Sequence, residues 1–304
     1  MEIKQIIFLL FLFPLLLFAE NNESWFDDYH DQLCKVLIST SHSIDDYFIE
    51  GNRSVISSTR AELISSMAME NGQPLEKNIR VRLRLNLPKI QKHLRLILED
   101  EESDNILYNG TTLTDERLQD KRYYLRLEYF KWMKEQFNIV FAGGVRIRKG
   151  NLVPYANVRS EYDFYDKSDF KSSLSNRFRY YTDGEVENTA EFNSIYSLTD
   201  SIYSALTNQL RYDNRDGFET MVNDISIGEN VSEKKQVNVG MGVVSFLQNF
   251  KNPSVDYYHV HAFYHHVFYK NWVYYDLAPS VLWRRINDFQ ISYRVMMNFG
   301  IKFN

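Results

Sequence analysis

The chain has 304 residues, 35 Lys and Arg against 40 Asp and Glu, and a formal net charge of −5. That balance gives no basic field for nucleic acid, and no nucleic-acid partner is expected. The single cysteine, Cys34, excludes an intramolecular disulfide framework. Mean hydropathy is −0.41 although aromatics make up 15% of the residues. A membrane barrel reconciles the two, because half of each strand faces water and cancels the hydropathy of the other half.

In chain order, Met1–Ala19 comes first. It carries Lys4, the apolar run Ile6–Phe18 and the small residue Ala19 ahead of Glu20-Asn21-Asn22. This reads as a secretory signal peptide cleaved after Ala19. A membrane anchor is the competing reading, but the run is short of the roughly 20 residues that a spanning helix needs. No cysteine lies near the cleavage point, so a lipid-anchored N-terminus is not expected. Residues 20–56 form a second region. Phe26, Tyr29, Leu33, Val36, Leu37, Ile44, Tyr47 and Phe48 recur at helical spacing, with Asp27, Asp28, Asp31, Lys35, Asp45 and Asp46 largely elsewhere. The spacing predicts an amphipathic periplasmic helix, broken near Ser39–Ser43, that packs against the mouth of the following domain. A plug or partner-binding arm is the alternative.

From residue 57 onward the pattern becomes that of strands. About fourteen are expected, near 60–70, 76–87, 91–100, 120–133, 136–148, 151–165, 170–182, 185–197, 200–213, 217–228, 235–248, 255–269, 272–284 and 288–303. Turn chemistry separates them at Asn71-Gly72, Pro88-Lys89, Lys149-Gly150, Asp183-Gly184, Asp213–Gly217 and Asn287-Asp288. Faces are readable in several. Ile79, Val81, Leu83 and Leu85 alternate with Arg80, Arg82 and Arg84. Tyr123, Leu125 and Leu127 oppose Tyr124, Arg126 and Glu128. Phe137, Ile139, Phe141, Val145 and Ile147 share a side, as do Val273, Tyr275, Leu277, Val281 and Trp283. Strands 185–197 and 217–228 alternate poorly and are placed mainly by spacing. In the last stretch Phe289, Ile291, Tyr293, Val295, Met297, Phe299, Ile301 and Phe303 alternate with polar or small residues up to Asn304. Lipid on one side and water on the other produces this pattern. A soluble β-sandwich also has alternating strands, but so many long strands in series require closure or protected edges.

The export signal, the series of hairpins and the aromatic C-terminal strand together resemble the Gram-negative outer-membrane β-barrel proteins, porin-like, with no specific family indicated. The resemblance covers residues 1–19 and about 57–304. It implies an all-β, up-and-down antiparallel transmembrane barrel in the outer membrane. It also implies outer-membrane lipids, the barrel-assembly machinery and periplasmic chaperones as partners during biogenesis. Tyr293, Val295, Met297, Phe299, Ile301 and Phe303 would form the assembly signal; in that class the aromatic is usually the last residue, whereas here Asn304 follows it.

With the apolar face toward lipid, Arg80, Arg82, Arg84, Arg95, Arg126, Arg146, Arg177, Arg179 and Arg294 line the lumen, with Arg159, Arg211 and Arg284 beside them. Fewer acids, among them Glu62, Glu99, Glu128, Glu161, Asp163 and Asp276, are assigned there. An arginine-rich pore attracts anions; Arg–Glu ladders that brace a barrel are the structural alternative.

A second constellation lies in 255–284. His259, His261 and His265 share a face with Tyr257 and Phe263. A two-residue turn at Lys270-Asn271 would pair Tyr269 with Trp272, His265 with Asp276, His261 with Ser280 and Tyr257 with Arg284. His residues two apart on a strand are roughly 7 Å apart, within reach of one metal. His259, His261 and His265 are therefore the metal-ligand candidates. His261, His265, Asp276 and Ser280 supply the residue types of a nucleophilic hydrolase, although packing and hydrogen bonding are the commoner uses of such groups. No cofactor is expected. The favoured function is a passive channel for small polar or anionic solutes rather than an enzyme. The alternatives are a sealed structural or adhesion barrel and an outer-membrane lipid hydrolase.

Overall fold

A computed structural model of the chain describes residues 23–48, 59–86, 95–100, 122–134, 136–148, 151–167, 169–214, 218–248 and 251–303. The expected signal peptide 1–19, the expected connection 101–119 and the side chains of Arg95 and Glu99 lie outside the described residues. A helix, α1 (Glu23–Phe48), precedes fourteen strands. These are β1 (Arg60–Glu70), β2 (Glu76–Asn86), β3 (Arg95–Asp100), β4 (Arg122–Lys134), β5 (Phe137–Arg148), β6 (Asn151–Asp166) and β7 (Phe170–Tyr181). They continue with β8 (Val186–Ser197), β9 (Ile202–Asp213), β10 (Phe218–Ser232), β11 (Lys235–Gln248), β12 (Lys251–Tyr269), β13 (Val273–Arg284) and β14 (Ile291–Phe303). Each strand pairs antiparallel with its sequence neighbours, and β14 closes on β1 in the register Ala61↔Phe303 to Glu70↔Arg294. No sheet edge remains, as lipid requires. A twelve-residue strand tilted about 40° spans about 30 Å, enough to cross the apolar band.

The side-chain distribution is inverted relative to a soluble protein. Arg80, Arg146, Arg179, Glu191 and Ser66 are among the most buried side chains, while Ile79, Leu152, Ile225, Ile227, Val239 and Met241 are exposed. Such an extensive exposed apolar surface needs lipid to cover it. No helix among the described residues is long and apolar enough to cross a membrane; crossing is the work of the strands. Registers around the ring put the inward set of every strand on one surface. For example, Glu128, Ala142, Asn157, Arg179, Glu187 and Asp213 are successive register partners from β4 to β9.

The outer surface carries aromatic clusters near the end where the chain termini lie. Tyr264, His266, Phe268, Tyr275 and Phe299 form one, with ring centroids 5.5–6.0 Å apart in the pairs His266–Tyr275 and Phe268–Phe299. Tyr162, Phe164 and Phe192 form another. Rings at this level suit the membrane–water interface.

Two expectations change in the last two hairpins. The last strand starts at Ile291, not 288, because a 3-10 turn over Arg285–Asn287 is followed by Asp288 (φ 51°) and Phe289 (φ 55°) in the left-handed region, which no strand residue adopts. Tyr269 pairs with Val273, not Trp272. A bulge between Val267 and Tyr269 absorbs one residue, with Lys270 left-handed at φ 44°. The other three predicted pairs of this hairpin are present.

Helix α1 runs unbroken through Ser39–Ser43. Those hydroxyls bond back into the helix, Ser39 Oγ to the Val36 carbonyl at 2.9 Å and Ser43 Oγ to the Ser39 carbonyl at 2.8 Å. The helix meets the barrel mouth, and the described contacts run through Asp27 and His30. His30 Nε2 donates to the Lys302 carbonyl at 2.9 Å and its ring stacks on Trp272, centroids 4.0 Å apart. Asp27 accepts from Tyr269 Oη at 3.1 Å and pairs with Lys270. Tyr29, Leu33 and Val36 stay exposed.

Candidate functional site

The lumenal wall is built from three polar zones. The first spans β4 to β9. Arg146, with a side chain 0% exposed, sends Nη1 and Nη2 to the two carboxylate oxygens of Glu185, each at 2.6 Å. Its guanidinium lies 3.9 Å over the Tyr181 ring, and Glu187 stands 3.7 Å away. Glu185 reaches this position because the Asp183-Gly184 turn, with Gly184 at φ 88°, folds the chain back between β7 and β8. Arg179 bonds Glu187 at 3.1 Å and lies over Tyr124, and Tyr181 Oη donates to Glu187 at 2.8 Å. The tyrosines Tyr124, Tyr155 and Tyr181 pack on one another beneath these charges. Forked Arg–carboxylate pairs of this kind fix geometry as well as charge.

The second zone lies across the closing seam. Arg80 Nη2 donates to Ser66 Oγ at 2.8 Å, and Ser66 Oγ donates to Asn298 Oδ1 at 2.7 Å. Asn298 Nδ2 then donates to Asp276 Oδ2 at 3.3 Å, and His265 Nδ1–H to Asp276 Oδ1 at 2.7 Å. One chain of hydrogen bonds thus runs from β2 through β1, β14 and β13 to β12. Flanking it, Glu62 accepts from Arg82 at 3.2 Å and from Tyr274 Oη at 2.7 Å. On the other side Glu70 accepts from Arg284 at 3.0 and 3.1 Å and from Ser292 at 3.0 Å.

The third zone is the wall of β9 to β12. Small residues on one strand let long side chains lie flat and meet groups two strands away. Tyr203 covers Gly228 and accepts from Gln236 Nε2 at 2.6 Å. His259 and His261 cover Gly242 and Gly240 and approach Asp224 on β10.

The arginines read as lumenal take different places, and Arg84 is exposed. Arg80, Arg126, Arg146, Arg179 and Arg294 are buried against the inner wall. Arg82 is half-buried on the same face, Arg84 is opposed to Ile97, and Arg95 takes the register position opposite Glu128. The predicted surplus of arginine over acid is narrower than expected. The poorly alternating β8 and β10, together with β9, bring Glu187, Glu191, Asp213 and Asp224 inside, and these acids were not read from the sequence. A local concentration does remain: Arg159 on β6 faces Arg177 on β7, and Arg211 on β9 follows beyond Thr189 in the same register row. Arg159 is exposed and the other two are half-buried.

The hydrolase residues are not assembled. His265 holds Asp276, but Ser280 lies four residues further along β13, about 13 Å at strand rise. Ser280 Oγ turns to the Arg294 carbonyl at 3.4 Å, and His261 Nδ1 faces His259 Nδ1 at 3.3 Å. Of the three candidate metal ligands, His265 is engaged with Asp276, whereas His259 and His261 face Asp224.

A closed antiparallel barrel with a lipid-compatible outside and a polar, charged inside defines the outer-membrane β-barrel class. No family model and no curated protein matches the chain. Among solved structures it is similar to a bacterial polysaccharide outer membrane secretin at 9% identity and a TM-score of 0.47, covering 81% of this chain and 98% of that one. It is similar to OmpT, an outer membrane protein of Vibrio cholerae, at 9% and 0.45, covering 84% and 100%. It is also similar to the KdgM porin at 8% and 0.38, covering 78% and 98%. At these values nothing about solute or activity carries over.

Proposed function

We propose that this protein is a passive, porin-like channel for small polar solutes, with a preference for anions. It would sit in the Gram-negative outer membrane after export and cleavage behind Ala19. Chaperones and the barrel-assembly machinery would read the β14 row Tyr293–Phe303 during insertion, and α1 would lie on the periplasmic side. The observation that carries the reading is the lumenal patch Arg159, Arg177 and Arg211. Arg159 and Arg177 are register partners across β6 and β7, with Arg211 in the same row, and a row of like charges raises the positive potential that a passing anion meets.

The dense pairing around Arg146, Arg179 and Glu185 supports a second reading, a sealed barrel braced from inside. Planar-bilayer recording of the refolded protein in a salt gradient separates the two. A channel gives steady steps and an anion-selective reversal potential that moves toward the non-selective value when Arg159, Arg177 and Arg211 become Gln. A sealed barrel gives no steps although it is folded. Arg80 and Arg82 are poorer targets than their position in the row implies, because neutralising them also breaks the contacts to Ser66 and Glu62.

A further inference from the structure

The geometry points to a metal site in the barrel wall, formed by Asp224, His259 and His261, for a divalent cation of the zinc class. The three side chains come from β10 and β12, with β11 between them. They meet because β11 presents Gly242 and Gly240 to the lumen in register with His259 and His261. A Cβ at Gly242 would sit 2.5 Å from His259 Nε2, and one at Gly240 would sit 2.6 Å from His261 Cε1. Side chains at those positions would close the space that the imidazoles occupy.

Donor atoms of the three residues lie within reach of one cation, with the carboxylate separations a few tenths of an ångström wider than in a closed tetrahedral site. One ligand atom from each residue lies within 4.8 Å of the other two. Asp224 Oδ2 is 3.6 Å from His261 Nδ1 and 3.8 Å from His259 Nε2, and the two Nδ1 atoms are 3.3 Å apart. Around a tetrahedral zinc with bonds of roughly 2.0–2.1 Å, neighbouring donors are about 3.3–3.4 Å apart. The carboxylate distances exceed hydrogen-bond range, and Asp224 Oδ2, His259 Nε2 and His261 Nε2 are buried without a hydrogen-bond partner. All three residues are at least 96% buried. Three orphaned polar atoms in so small a volume are a costly way to build a wall. A shared cation would satisfy Asp224 Oδ2 and His259 Nε2, which face each other, and take His261 Nδ1 as its third donor. Two imidazoles and one carboxylate suit zinc and its neighbours, and a fourth position remains for water or a lumenal ligand. The second acidic cluster, Glu185, Glu187 and Asp213, is a poor counterpart, since Arg146 and Arg179 already hold two of its carboxylates.

The test uses the full refolded barrel in detergent, stripped of metal and titrated with zinc against a competing chelator, with stoichiometry from native mass spectrometry. One zinc per chain is expected. Asp224→Asn and His261→Gln should weaken binding by about 100-fold or more, since even loss of an outer-shell partner costs 10- to 100-fold. His265→Gln should leave it unchanged. Heat-modifiable gel mobility reports whether each variant is folded. If the variants do not fold, cobalt bound to the wild-type barrel decides: a strong visible spectrum of four- or five-coordinate cobalt supports the site, and a weak six-coordinate spectrum or no uptake overturns it. Equal zinc binding by wild type and folded Asp224→Asn overturns it as well, by placing the metal elsewhere.

Discussion

The pair Arg146–Glu185 reports how wet this part of the lumen is. The two side chains are 0% and 3% exposed and are joined by two bonds of 2.6 Å. Removing one partner of a dry pair strands a charge and costs about 3–5 kcal/mol. The same change in a pair reached by water costs about 0–1 kcal/mol. In Glu185→Gln, Asp183 at 3.5 Å and Glu187 at 3.7 Å stay near Arg146. The expected loss is therefore at the low end, about 3 kcal/mol. Arg146→Met with Glu185→Leu removes both charges, and the double variant should recover much of that loss. The assay is reversible urea unfolding of the barrel in liposomes, followed by tryptophan fluorescence, with Arg146→Met and Glu185→Leu made singly and together as a cycle and Glu185→Gln measured beside them. A loss under about 1 kcal/mol for Glu185→Gln at an unchanged m-value would refute the reasoning. The pair would then be bathed in lumenal water, and the bracing role of this zone would fall with it.

Gly300→Ala should destabilise by about 1–3 kcal/mol, because the new methyl overlaps the Tyr274 ring that covers Gly300 and pushes Tyr274 Oη off Glu62; in a Tyr274→Ala background the same change should cost much less, read from a double-mutant cycle of unfolding midpoints. The docking of α1 should depend on pH at both extremes. Lys270 holds the Asp27 carboxyl below its usual 3.8, so this contribution is complete above that value and fades as pH falls through it and then through the lowered folded value. The same bond raises Lys270 above 10.5, so its contribution is complete below that value and is lost as pH climbs through the raised one. Hydrogen exchange of α1 should speed up at both ends, and 1 M salt should flatten the effect; exchange that ignores both pH and salt would mean that the His30–Trp272 stack alone carries the docking.

Much of the architecture was legible because a strand that separates lipid from water has a strict period of two. Strands β5 and β14 show it plainly, and β2 shows it until Arg84, which is exposed, and Leu85, which is buried. The register of β12 on β13 followed from one short turn, apart from the bulge between Val267 and Tyr269. The site was less legible. His259 and His261 were visible as a pair, but Asp224 belongs to a strand whose polar and apolar residues do not alternate cleanly, two strands away. The signal that remained was the pair Gly240 and Gly242 on the intervening strand. Glu185 was hidden for a different reason: it lies in a turn, where periodicity says nothing about facing. The apolar stripe of α1 did not show the docking contacts, because those described run through Asp27 and His30 to a lysine, a carbonyl and an indole.

The side-chain chain from Arg80 to His265 crosses the junction between the first and last strands made. Of its links only the Ser66–Asn298 bond spans that junction, so the two halves of the chain join only when β1 and β14 meet. A barrel still open between β1 and β14 would hold Arg80 and Asp276 at a bilayer-facing gap with their bridge incomplete, together with two rows of bare backbone amides. Such a half-closed sheet has little reason to persist in lipid. Closure is then the step that makes the interior polar groups compatible with the membrane, and insertion without it should return the chain to water instead of leaving an open sheet in the bilayer.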